Sequence, residues 1–351
     1  MNSPGHHAPA PWRRRFAVLT ACATLLLIFA GSLVTSTGSA LAVPDWPLAY
    51  GMLFPPMVGG VFYEHGHRII ASLVGFLTLI LAVWFARTEN RSWVRKCGWL
   101  ALGAVIVQGL FGGMTVLFMQ MQPLSIIHGV LAQSFFMLTI LLAHSQSNVS
   151  RQTPTSATPA SALRKLSFAA MAVIYIQLIL GAVMRHTSSG LAIPDFPTMG
   201  GSWIPLFDDA MLKTISTLRF EANIDPPSVS LAQVAIHFAH RAGAVLVSLV
   251  VIAFLLRTRG IPDLPRSIRR DVNLLGVLLA AQVILGAFTI WSVRQPFVAS
   301  FHVLTGATML GLSTLLYLRS FPAHIFAREH LFPAPDDSTM RGAEPGELAK
   351  A

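Results

Sequence analysis

Hydrophobic and polar positions along this chain are segregated on the scale of whole segments rather than alternating within them. Apolar runs of roughly 18–22 residues lie at about 16–37, 68–86, 98–118, 125–143, 166–185, 235–256, 272–292 and 299–318, separated by polar, proline-bearing or arginine-bearing stretches. A helix rising about 1.5 Å per residue crosses a hydrocarbon core of about 30 Å in such a run. The pattern predicts an all-α polytopic membrane protein with eight transmembrane helices. Loops 38–64 and 186–234 are long, whereas 119–124 and 293–298 are short. Within the second long loop, residues 206–224 space Phe207, Met211, Leu212, Ile215, Leu218 and Phe220 among polar residues, which predicts a helix lying on the membrane surface.

The pattern repeats in detail. Thr37–Pro47 returns as Thr187–Pro197, 150 residues later, and both copies end in Pro-Asp-aromatic-Pro. His67-Arg68 recurs as His240-Arg241, and Gln108, Gly112, Thr115 and His128 recur in order as Gln282, Gly286, Thr289 and His302. The chain therefore reads as two related halves of four spans each. An even number of spans gives both halves the same orientation, so the expected fold is two pseudo-symmetric four-helix bundles in a parallel internal repeat. The expected divisions are an N-terminal tail at 1–15, a bundle at 16–143, a Ser/Thr/Ala/Pro-rich linker at 144–165, a second bundle at 166–320 and a C-terminal tail at 321–351.

Composition agrees with the membrane reading: 54% hydrophobic, only 11% charged, mean hydropathy +0.62. A net charge of +10 would suggest nucleic acid in a soluble protein, but most of the 25 Lys and Arg fall at one set of helix ends. That excess is the signature of the cytoplasmic side, so both termini are expected there, in a cell (inner) membrane, and nucleic-acid binding is excluded. Three arginines, an apolar stretch and Ser39–Ala42 imitate a signal peptide, yet the match of that stretch to the span at 166–185 marks it as a structural helix. Cys22 and Cys97 both fall in or at the edge of spans, so no disulfide framework is expected.

The candidate chemistry sits in the even-numbered spans. His67, His128, His240 and His302 lie near the outer ends of four helices, at similar depth. A lone intramembrane histidine is commonly a satisfied structural residue, but four in repeated register point to ligation. Two imidazoles from facing helices supply the two axial nitrogens of a low-spin haem. Structural zinc requires four N or S ligands, and each pair offers two. Arg68 and Arg241 suit haem propionates or interfacial snorkelling. Glu64, three residues before His67, has His237 as its counterpart. A carboxylate there can accept a proton or stabilise positive charge, or simply favour a helix start. His65 and His237 are reserve ligands should the register differ. The Gln-x-x-x-Gly pattern at Gln108, Gln177 and Gln282 reads as close helix packing.

Together, Glu64-x-x-His67-Arg68, His240-Arg241, His128, His302 and the two Pro-Asp-Trp/Phe-Pro elements resemble the haem A synthase family of cytochrome oxidase assembly, across about residues 16–320. The resemblance implies oxidation of the C8 methyl of haem O to the formyl of haem A by two successive hydroxylations. It further implies haem b on His240 and His302, the substrate haem O on His67 and His128, and a role for Glu64 in activity. The partners it implies are haem O synthase (protohaem farnesyltransferase) and cytochrome oxidase subunit I, besides the lipid bilayer; a homo-oligomer is compatible with it. The outer-loop cysteines of some members are missing. A bis-histidine b-type cytochrome shuttling electrons between quinone and a partner, or a haem carrier, would use the same four histidines.

Overall fold

A computed structural model describes residues 11–147, 160–261, 264–322 and 325–326. Residues 1–10 of the expected tail at 1–15, the centre of the expected linker at 144–165 (148–159) and nearly all of the C-terminal tail lie outside the described residues, while residues 11–15 belong to α1. Among the described residues the fold is all-α: α1 Pro11–Ser36, α2 Gly60–Thr88, α3 Ser92–Leu117, α4 Gln122–Ser145, α5 Ala160–His186, α6 Asp209–Glu221, α7 Leu231–Arg259, α8 Arg266–Trp291 and α9 Pro296–Arg319. All but α6 are long and apolar enough to cross a membrane, which makes this a multi-pass membrane protein.

Helices α1 to α4 pack in a ring, α1 on α2 and α4, α3 on α2 and α4. Helices α5, α7, α8 and α9 do likewise, and α1, α4, α5 and α9 join the two groups. Helix α9 touches four neighbours because its inner face is small: Ser300, Gly306, Ala307, Gly311 and Ser313 are buried. A Cβ at 311 would stand 2.8 Å from Phe136 Cε1, so the α4 ring seats directly on the α9 backbone. Without a solvent-driven hydrophobic term inside lipid, such close approach is what holds helices together.

Helices α2 and α7 start earlier than the apolar runs suggest, at Gly60 and Leu231. Their second turns contain Glu64, His65 and His237, polar residues that are buried and partnered inside the protein. Hydropathy cannot see that burial. The histidines consequently sit in the second and third turns rather than the first.

The two long loops begin alike. The hydroxyls of Thr37 and Thr187 each donate 2.8 Å to a carbonyl one turn back, Leu33 and Val183, and each meets a serine, Ser39 or Ser189. The aromatic of each Pro-Asp-aromatic-Pro element then folds back onto a helix. Trp46 lies on Gly113 of α3, and Phe196 stacks edge-on against Trp291 of α8 at 6.0 Å. Helix α6 is the expected helix of the second loop, capped by the Asp208 carboxylate accepting from the Met211 amide at 2.8 Å. Its apolar stripe faces protein, not lipid: Met211 and Ile215 pack with Ala192, Ile193 and Val234. Arg219 secures the loop by donating to the carbonyls of Leu191, Pro226 and Pro227.

At the arginine-rich end, Arg91 makes a two-pronged pair with Glu89 at 2.8 Å and donates to the Phe326 carbonyl at 3.0 Å, while Gln146 also donates to Glu89. Burial pushes the Glu89 carboxyl up, but hydrogen bonding and charge from Arg91 override it and bring it down to about 2, from 4.5. A depressed carboxyl contributes stability that is fully present above its unfolded value and is lost as pH falls through the folded one. Thermal unfolding in detergent should therefore show an acid-linked loss between about pH 4.5 and 2. Glu89→Gln should lower stability at neutral pH by about 3 kcal/mol, by stranding Arg91, and should flatten that part of the profile.

Candidate functional site

All four predicted histidines face the interior of their helix groups. Each ring rests on a glycine of the preceding helix: His67 on Gly31 of α1, His128 on Gly112 of α3, His240 on Gly181 of α5 and His302 on Gly286 of α8. A Cβ on those glycines would stand 2.9, 3.1, 3.2 and 3.2 Å from the Cε1 of the respective imidazole. Any larger residue would push the ring off the helix. His67 and His128 stand on α2 and α4 of the first helix group, and His240 and His302 on α7 and α9 of the second.

The rings are held from behind as well. The side-chain amide of Gln108 donates to the His128 carbonyl at 2.9 Å, that of Gln177 to the His240 carbonyl at 2.8 Å, and that of Gln282 lies 3.3 Å from His302 Nε2. The Gln-x-x-x-Gly pattern is thus a histidine support: glycine makes room for the ring and glutamine fastens it or its backbone. Sequence reading took the pattern for general packing, although its fixed position against each histidine was a usable signal.

Arg68 and Arg241 point into the long loops. Arg68 donates to the carbonyls of Asp45 (2.7 Å), Leu48 (2.9 Å) and Val43 (3.3 Å), and Arg241 to those of Asp195 (2.7 Å), Thr198 (2.9 Å) and Ile193 (3.2 Å). The aspartates complete the clamp. Asp45 accepts from the amides of Gly51 and Tyr50, and these, with Arg68 nearby, hold its carboxyl below the usual range. Burial pushes Asp195 up, but the Gly201 amide, the Thr198 hydroxyl and the Gly200 amide more than offset it and leave it lowered.

Glu64 and His237 occupy matching places in this clamp. Glu64 is buried; Oε1 accepts from Arg68 at 2.7 Å and Oε2 from the Val43 amide at 2.9 Å. At His237, Nδ1 accepts from the Ile193 amide at 3.1 Å and Nε2 faces Arg241 Nε at 3.2 Å. A carboxylate has lone pairs for both donors, whereas a neutral imidazole has one. The two halves therefore share a loop clamp but differ in the charge at its centre. His65 is buried with Nε2 at 3.1 Å from the Leu53 carbonyl, and it too serves a loop.

The arrangement fits haem. Nδ1 of His67, His128 and His302 is buried without a hydrogen-bond partner, which is costly for a ring whose only duty is packing. Among the described residues no three of His, Cys, Asp and Glu gather as a metal cluster. A pair of imidazoles in a four-helix setting suits the two axial positions of a haem iron and falls short of a structural zinc site. Cys22 and Cys97 are free thiols.

Residues 14–314 match the COX15-CtaA family, described as cytochrome oxidase assembly protein. Among individual relatives, the heme A synthase of Halalkalibacterium halodurans is 27% identical over 310 residues, covering 86% of this chain and 94% of that protein. That of Shouchella clausii is 28% identical over 253 residues (70% and 75%), and that of Lysinibacillus sphaericus 32% over 188 residues (52% and 61%). The family match includes all four histidines, their glycines and both loop clamps. This chain belongs to the COX15-CtaA family of cytochrome oxidase assembly proteins.

Proposed function

We propose that this protein is a haem A synthase, an oxidoreductase that converts the C8 methyl of haem O into the formyl of haem A. The methyl is hydroxylated to a hydroxymethyl, then to a geminal diol that loses water to leave the formyl, a four-electron oxidation in which two electrons leave the substrate at each hydroxylation for an external oxidant. The observation that carries this reading, in a chain similar to heme A synthases, is the difference between Glu64 and His237 in two otherwise matching clamps. Two equivalent imidazole pairs alone would equally suit a carrier of electrons or of haem. A carboxylate beside only one pair marks that half as the one doing chemistry.

In this reading His67 and His128, in the half spanning 16–143, hold the substrate haem O. His240 and His302, in the half spanning 166–320, would hold haem b, which when bound supplies a one-electron redox centre. The four glycines let the imidazoles lie close to neighbouring helices, so that the rings are oriented before haem arrives. The loop clamp of Arg68, Asp45 and Glu64 covers the substrate half and excludes water from it, which strengthens every charge interaction inside. Glu64 lies one turn nearer the loop than His67. Both its oxygens already accept hydrogen bonds, and taking a proton would cost one of them. That favours a fixed negative charge that stabilises positive charge developing on the substrate as the methyl is oxidised. Arg68 and Arg241 also suit haem propionates, since exchanging a carbonyl acceptor for a carboxylate strengthens the bond.

The arginine-rich helix ends support a cytoplasmic location for both termini, with the histidine pairs near the opposite face of a cell membrane. Haem O and haem A are too apolar to travel through water. A haem O synthase upstream and cytochrome oxidase subunit I downstream are the partners this chemistry requires.

Glu64→Gln preserves shape and removes the charge. It should reduce haem A formation on the order of 10²-fold at unchanged haem content, measured by pigment extraction from cells that make haem O but otherwise no haem A; normal haem A output would exclude the proposed role. Substituting ligands should separate the halves. His302→Ala should strip haem b while haem O remains, and His128→Ala the reverse. Loss of the same pigment from both variants would contradict the assignment of one haem to each half.

A further inference from the structure

The four histidines share a glycine seat but not a side-chain fastening. The glutamine that precedes the supporting glycine by one turn is present for His128, His240 and His302, as Gln108, Gln177 and Gln282. At the fourth seat, before Gly31, the position is Leu27. Among the described residues no side-chain amide reaches His67, whereas Gln177 meets His240 at its carbonyl (2.8 Å) and at both ring nitrogens (3.2 and 3.4 Å).

A second difference accompanies the first. Gln177 lies against Gly243 of α7, where a Cβ would overlap the Gln177 side-chain oxygen as it is placed. The residue in the matching place on α2 is Ile70, and Leu27 and Ile70 both pack against the apolar core of the first half. One half thus joins its first two spans by an amide set into a glycine notch, and the other by two branched aliphatic side chains. Dispersion contacts of that kind tolerate sliding and rotation, while a hydrogen bond in a dry helix interface is lost as soon as its geometry opens.

We propose that His67 is the releasable ligand of the substrate site, the imidazole that withdraws so that haem O can enter and haem A can leave, while His128, His240 and His302 stay fastened. The proposal rests on the assignment of haem O to the first half and haem b to the second. It follows from what each half has to do: a resident cofactor needs two permanent ligands, and a substrate that must turn over needs at least one that lets go. Leu27 and Ile70 are positioning residues in this scheme, acting on His67 through the α1–α2 contact.

The test uses the purified holoprotein in detergent, carrying haem O and haem b, mixed with excess apomyoglobin as haem acceptor. The two haems remaining on the protein are extracted and separated over time. In the unsubstituted protein haem O should leave faster than haem b. Gln177→Leu, which gives the second half the weaker fastening, should speed haem b loss about fivefold, the order expected from one hydrogen bond, without changing haem O loss. Leu27→Gln combined with Ile70→Gly should slow haem O loss by a similar factor without changing haem b loss. Should the double variant fail to accumulate, Gln177→Leu decides. Haem O leaving no faster than haem b, or substitutions that move neither rate or both together, overturns the proposal. Haem b as the sole pigment of the unsubstituted protein, purified from cells that make haem O, would overturn the functional reading on which it rests.

Discussion

A polar group carried into a bilayer must find its hydrogen-bonding partner inside the protein, because lipid offers none. That single constraint organises this molecule. Arg68 and Arg241, set in membrane-spanning helices, spend their donors on loop carbonyls and so draw two long loops down over the histidine pairs. Serine and threonine hydroxyls inside the spans return to carbonyls three or four residues back, as Thr24, Thr78, Ser248 and Thr314 do. Among the buried side-chain atoms that do not meet the rule are Nδ1 of His67, His128 and His302, three of the four residues proposed as ligands, together with Nδ1 of His65 and the side-chain oxygens of Gln108, Gln177 and Gln282.

The same rule governs how the halves meet. Arg185, near the end of α5, crosses to the other half and donates to the Ser32 carbonyl and the Ser36 hydroxyl of α1, both at 2.6 Å. Ser300, two residues before His302, donates to the same Ser36 hydroxyl at 3.1 Å. The polar joint therefore lies at the depth of the histidines, while deeper in the bundle the seam is apolar and tight, with Phe136 against Gly311. A joint of this kind ties the position of one histidine-bearing helix, α9, to the end of the first helix of the opposite half. It keeps the two histidine-bearing halves in fixed relation.

How much of this was legible in the sequence depends on whether an interaction leaves a mark in spacing or composition. The eight spans did, since length and apolarity are one-dimensional properties, and so did the histidines, whose repeated register identified them before any geometry. Helix starts did not: Gly60 and Leu231 precede the apolar runs because Glu64, His65 and His237 are buried against loops that fold back from elsewhere. The sidedness of α6 was likewise hidden. Its stripe of Met211 and Ile215 is what a membrane-surface helix would present, and only the arrival of Ala192, Ile193 and Val234 turns it toward protein. For Arg68 and Arg241 the sequence showed an arginine beside each histidine, but their carbonyl partners are twenty or more residues away.

Glu64 and His237 meet one hydrogen-bonding demand in two ways. Each receives a main-chain amide from its loop and a guanidinium from one turn along its own helix, so the cradle is the same and demands an acceptor. A carboxylate answers that demand fully and brings a negative charge with it. An imidazole answers it in part and stays neutral. The carboxylate's cost of burial is met by the clamp that closes the loop, in which Arg68 is its counter-ion and the Val43 amide its second donor. Structure and reactivity share one set of hydrogen bonds, and a substitution at Glu64 must be judged by separate measurements of haem content and turnover.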